Sequence, residues 1–358
     1  MKTELTLLLP GLCAPWRGDE PHLPLPAPTV PALQALLTRA DRLAQPALAF
    51  EDALARAFAV EAGELPWGAL GLWGEHGERP DGLVLRLDPV HLKLGMTDAL
   101  VMGGAALHLS HDEANTLAGA LEQHFSARGW RMVVAAPERW YVCLDVSGDV
   151  LCDASFELHT TPLSQALGHD AGVFKPKGKD ARRWLADLTE AQMLLFAHPV
   201  NAVREARGLP VINSLWPWGA GALPLSLLAK AGRTLLPDQL TVVYANHPLA
   251  RGLAHALDLP VHDLPETLEE CADLPQKALI LLDDLVQPWQ DGDFDDWQAT
   301  LEGLEARWFA PLRAALAQGR VSTLRMDAGA ACFTCTPAQR WRIWRRAKIL
   351  ESLCAPSV

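Results

Sequence analysis

The sequence predicts an α/β protein: a doubly wound, mostly parallel sheet with a smaller α+β segment inserted into it. Two patterns carry that expectation. Short, near-continuously apolar runs at Thr3–Leu9, Leu240–Tyr244 and Ala278–Leu282 have the composition of parallel strands covered on both faces, and helical stretches alternate with them. From residue 81 to 165 the order becomes strand, helix, strand, strand, which reads as a compact α+β unit. The expected domains are therefore 1–80 with 166–358, and an insert at 81–165.

Taken in order, Thr3–Leu9 is a buried strand that Pro10-Gly11 ends. Residues 13–31 are rich in proline and read as an extended connection. A helix starts at Pro31, with Thr29 able to cap it, and Ala47–Phe58 reads as a second, amphipathic helix. In the insert, Leu83–Leu87 is a strand, Asp88 and His91 close a turn after it, and Ser110 with Glu113 forms a capping box for a helix running to about Arg128. Met132–Ala136 and Tyr141–Leu144 are further strands, and the basic loop Phe174–Lys179 leads into a helix from Ala181 to about His198. A strand at Leu240–Tyr244 precedes a helix through His255, and Ala278–Leu282 is the clearest central strand, followed by a helix from Phe294 to Ala317. Near the C-terminus Arg340–Arg346 is expected to be helical, docking Trp341, Trp344 and Lys348 on one face and leaving its arginines in solvent.

The chain has 358 residues, 49% of them hydrophobic, enough to bury a substantial core. Its apolar runs are shorter than the ~20 residues a membrane span needs, and the short apolar start is a poor signal peptide, so a cytoplasmic protein is expected. A net charge of -12 argues against nucleic-acid and anionic-membrane partners, both of which need a basic field. Seven scattered cysteines fit reduced thiols, and Cys332-Phe333-Thr334-Cys335 lacks the second pair that a zinc site requires.

One stretch concentrates unusual chemistry. Asn213-Ser214-Leu215-Trp216-Pro217-Trp218-Gly219-Ala220-Gly221 joins two indoles to two glycines, which on physical grounds reads as a tight loop pinned into the core by aromatic packing. The longer segment from His198 to Gly221, HPVNAVREARGLPVINSLWPWGAG, resembles the HPxNxxRxxxGxPxNxxWxWGxG signature of archaeal-type, cofactor-independent phosphoglycerate mutases. It is still more similar to bacterial proteins of the Rpf-E-type regulatory subgroup. Both belong to the alkaline-phosphatase-like superfamily, so the resemblance implies a sheet of that type.

The resemblance also implies site residues. Asn213, Trp216, Trp218 and Gly219, with Arg86 and His91 from the insert, stand where substrate is bound. Asp283 or Asp284, Asp291, Asp293 and Asp327 stand where the mutases hold catalytic metal, as a vestige of that site. Much of the remaining pattern is missing. Pro10, Gly11 and Leu12 replace the first-strand aspartate, the region 47–58 has no Ser or Thr nucleophile, Gln287 or a neighbour replaces one metal-site histidine, and no histidine follows Asp327. Arginines are absent around 98–107, and a phosphate clamp needs several of them.

The expected function is thus that of a mutase-like protein without mutase chemistry, acting by binding a protein partner or a small anionic or phosphorylated ligand and needing no cofactor. A sensor that uses the tryptophan stretch as a wall is a variant of this reading. The alternative is a metal-dependent phosphatase or phosphotransferase whose carboxylates gather Mn²⁺ or Zn²⁺.

Overall fold

A computed structural model describes residues 3–16, 27–46, 48–60, 65–144, 156–223, 240–271, 277–342, 344–346 and 348–354. Cys152 and part of the proline-rich connection lie outside them. In chain order the strands are β1 (Thr3–Leu8), β2 (Asp41–Ala44), β3 (Leu83–Leu94), β4 (Ala99–Met102), β5 (Trp130–Ala136), β6 (Arg139–Leu144), β7 (Ser214–Gly221), β8 (Val242–Tyr244), β9 (Val261–His262), β10 (Lys277–Leu281), β11 (Val321–Asp327) and β12 (Ala331–Cys335). The main helices are α1 (Pro31–Arg39), α2 (Phe50–Ala57), α3 (Trp67–His76), α4 (His111–Phe125), α5 (Ala181–Phe196), α6 (Pro199–Ala206), α7 (Pro248–Ala256), α8 (Val286–Asp291), α9 (Phe294–Leu304) and α10 (Ala310–Ala317).

The chain forms two compact units, one from Met1–Glu61 with Lys230–Val358 and one from Ala62–Ala229. The second is larger than the 81–165 segment expected as an insert, because β7 pairs with β3 and brings the tryptophan stretch into it.

The first unit contains a seven-stranded sheet ordered β2-β12-β11-β1-β10-β8-β9. β11, β1, β10, β8 and β9 run parallel, and at one edge β12 alone is reversed, pairing antiparallel with both β11 and β2. Leu5, Leu7, Ala278, Ile280, Leu324 and Met326 from the three central strands are buried in one core, which explains their apolar composition. Cys332 and Cys335 lie in β12 as buried free thiols, and burial pushes Cys335 up to about 12.

Thr29 does not cap α1; the Glu305 carboxylate accepts from the amides of Ala32 and Leu33 instead. Glu305 opens a π-helical turn, Glu305–Phe309, between α9 and α10. Pro311, which has no N–H to continue the usual ladder, follows that turn.

The second unit is an antiparallel sheet, β4-β3-β6-β5, with β7 also paired to β3. Its core gathers Leu85, Leu87, Leu117, Leu121, Trp130 and Trp140. The Ser110–Glu113 capping box forms as the sequence predicts. Two expectations change. Asp88 to His91 continue β3 instead of closing a turn, since pairing with β7 extends to Val90 and pairing with β4 begins at His91. The tryptophan stretch is a strand rather than a loop, and Pro217 is tolerated there because, among the described residues, β7 pairs with β3 alone.

Candidate functional site

The signature from His198 to Gly221 is built almost entirely from structural bonds. His198 Nδ1 accepts from the Val200 amide and caps α6, whose first residue is Pro199. Asn201 is buried, donates to the carbonyls of Leu195 and Ile212, and accepts from the Ile212 amide. Arg204 is fully buried and donates to the carbonyls of Pro210, His108 and Leu107 and, at 2.8 Å, to Glu113. Asn213 grips Leu92 through both the amide and the carbonyl of that residue, and His91 Nδ1 is 2.8 Å from the Val211 oxygen.

The glycines have an equally local cause. A Cβ on Gly219 would lie 2.7 Å from Trp67 Cβ, and one on Gly221 2.7 Å from Pro66 Cβ, so both let α3 approach the sheet. Gly219 also has φ +63 and sits at the bulge where β7 gains a residue on β3.

Arg86 and Asp88 form the most deeply buried charged pair of this unit. Arg86 Nε and Nη2 each donate at 2.9 Å to Asp88, whose carboxylate also accepts from Trp218 Nε1 at 2.7 Å and from the Trp140 amide. The guanidinium lies about 5 Å from the ring centroids of both Tyr141 and Trp218. Burial alone would lower the Arg86 pKa, but the Asp88 charge, with Tyr141 and Glu75 nearby, holds it above the ordinary value. Burial pushes the Asp88 carboxyl up, and Arg86, Trp218 and the Trp140 amide pull it back. Both oxygens of Asp88, with Nε and Nη2 of Arg86, are thus occupied within the protein.

Trp216 behaves differently. Its indole donates to the Thr161 carbonyl, and it lines a cleft of about 470 Å³ together with Leu92, Phe174, Lys175, Gln192 and Ser214. Among the residues expected to bind substrate, Trp216 is the one that lines this cleft; Arg86, His91, Asn213, Trp218 and Gly219 do not.

In the first unit, the C-terminal ends of the parallel strands are where an α/β fold presents its ligands. Asp327 ends β11, buried, and both its oxygens accept from Arg56 Nη2 at 2.9 Å, with the Gly329 amide donating at 2.8 Å. Arg56 belongs to α2. At the other end of that helix Phe50 packs on His247, 4.6 Å between ring centroids, just after β8. Helix α2 therefore lies along this edge of the sheet. Neither Arg56 nor the Phe50 contact was signalled by the sequence, since an arginine among alanines reads as the solvated face of a helix.

The other aspartates are dispersed. Asp283, after β10, is half-buried; burial pushes its carboxyl up to about 6, and the Asp284 charge adds to this. Asp284 is exposed, 4.0 Å from Arg307. Asp291 accepts from Gln287, and Asp293 caps α9 through the Asp296 amide. Among the described residues no group of three or more His, Cys, Asp or Glu side chains can hold a metal ion. As placed, the described carboxylates do not assemble a two-metal phosphoryl-transfer centre.

Fold and site together define an α/β protein with a mostly parallel sheet, an antiparallel second unit, and a phosphoglycerate-mutase-like relationship over part of its length. No protein-family model matches the chain. A stretch of 127 residues, 36% of this chain, is 29% identical to the 2,3-bisphosphoglycerate-independent phosphoglycerate mutase of Methanothrix thermoacetophila and spans 30% of that relative. Among solved structures, the PH0037 protein of Pyrococcus horikoshii is similar with a TM-score of 0.53 at 15% identity, over 94% of this chain and 88% of that one. The cofactor-independent phosphoglycerate mutase of Thermoplasma acidophilum gives 0.48 at 17% identity, over 100% and 96%. At this identity the PH0037 likeness speaks for fold alone. No helix among the described residues is long and apolar enough to cross a membrane.

Proposed function

We propose that this chain is a phosphoglycerate-mutase-like protein without mutase chemistry, and that it works in the cytoplasm by binding, as a regulatory protein of the Rpf-E type would. The observation that carries this reading is Arg56. Its guanidinium grips both oxygens of Asp327, so a cation of the protein's own stands where the resemblance calls for a metal. Its Nε–H is buried and has no partner among the described residues, a donor left for an anionic ligand. The cleft beside Trp216 is mostly apolar and carries Lys175, Asp98 and Asp170 at its wall, so it offers a small ligand an apolar seat with charges of both signs.

Elemental analysis of the purified protein, with 3-phosphoglycerate and p-nitrophenyl phosphate assays in added Mn²⁺, tests the proposal. No stoichiometric metal and no turnover are expected. One metal per chain with turnover lost in Asp327→Asn would overturn it. One observation favours a carboxylate-built phosphatase instead: Asp283 has no ion pair among the described residues and titrates at about 6, within reach of acid–base work. Metal-dependent turnover that falls with Asp283→Asn and is lost to chelators would single out that reading.

A further inference from the structure

The C-terminal segment inverts what its sequence predicts. Pro337–Trp341 is a short 3-10 turn, no helix follows it directly, and Trp341 and Trp344 are 66% and 73% exposed. The arginines are the docked residues: Arg342 donates to the Arg39 carbonyl and to Asp41, and Arg345 to the carbonyls of Thr38, Arg39 and Ala40. Together they satisfy the end of α1, which carries the negative pole of that helix. Arg340 likewise donates to Ala317 at the end of α10.

Because those helix ends are already served, two further arginines have no structural task. The side chains of Arg39 and Arg313 make no hydrogen bond or ion pair among the described residues. With Arg340 they line one cleft of about 160 Å³, walled by Leu36, Leu316 and Pro337, and no carboxylate lines it. A chain of net charge -12 thus concentrates three guanidiniums around one hollow, where their mutual repulsion is relieved only by water or by a bound anion.

The hollow has room for about five waters, enough for one phosphate group on a short stem, and the arginine fork matches phosphate geometry. Beside it, the Arg340 guanidinium lies 4.9 Å from the centroid of the exposed Trp341 ring, a surface on which a flat group can stack. We propose that the Arg39–Arg313–Arg340 cleft binds the phosphate group of a small molecule whose ring rests on Trp341.

Calorimetric titration of the full chain with inorganic phosphate and with adenosine monophosphate tests this site. One site per chain is expected, tighter for the mononucleotide by about tenfold. Combining Arg39→Ala with Arg313→Ala should weaken both ligands by about tenfold or more. Neither side chain has a protein partner, so the melting temperature should be unchanged. Trp341→Ala should bring the mononucleotide down to the level of phosphate and leave phosphate alone. Unchanged affinity in the double variant, or no binding of either probe up to about 10 mM, overturns the proposal. Tighter binding of a short single-stranded oligonucleotide than of the mononucleotide would overturn the small-molecule assignment.

Discussion

In the antiparallel unit Arg86, Asp88, Asn201 and Arg204 are buried, and their polar groups bond to one another, to Trp218 and Glu113, and to backbone. At the sheet edge of the α/β unit Asp283, Asp284, Asp291 and Asp293 are half-buried or exposed, and each meets little beyond a single neighbour. The first group carries the more distinctive sequence pattern, yet its residues hold the fold. The lesson is that a dense motif reports what must be bonded, and a buried polar side chain must be bonded whether or not it reacts. Likeness in the signature is therefore evidence of fold before it is evidence of chemistry.

The largest effect should come from breaking the occupied network. Arg86→Met strands Asp88 in the core and should cost about 3–5 kcal/mol in urea unfolding. A cost below about 1 kcal/mol would mean that water reaches the pair and that the two regions differ less than their burial suggests. Gly219→Ala should cost about 2 kcal/mol, from the approach of Trp67 and the positive φ together.

The smallest effect should have the opposite sign. Asp283→Asn should stabilise the protein by about 1 kcal/mol near neutral pH, because the folded state holds that carboxyl at about 6, above its ordinary 3.8. A raised carboxylate destabilises the folded chain once it ionises, so the gain should be full above pH 6 and vanish below about pH 4. Denaturation at several pH values measures it, and a gain that does not depend on pH would place its origin elsewhere.

Local signals were legible. The apolar parallel strands and the Ser110–Glu113 box appear where the sequence puts them, because their causes lie within a few residues. The bond between Arg56 and Asp327 was not legible, since nothing near either residue announces the other across most of the chain. The Arg340–Arg346 stretch was misread for a related reason. Helical spacing sorts side chains by face, but it cannot register that the carbonyls of Thr38, Arg39 and Ala40 need donors. Trp216 was picked out for its residue type, and its cleft depends on Phe174 and Lys175, which the sequence offers only as a loop.

The position of β1 has a consequence in time. Both of its neighbours, Lys277–Leu281 and Val321–Asp327, are made long after it, whereas the second unit is one continuous stretch. At about 5–20 residues per second, β1 leaves the ribosome roughly 15–50 s before its nearest partner does. Chains arrested after residue 260 are expected to show a protease-resistant Ala62–Ala229 unit beside a cleavable N-terminal segment, and equal cleavage of both would contradict that order. Throughout that interval an apolar strand has no sheet to join, which makes newborn β1 the element of this unit most in need of a chaperone.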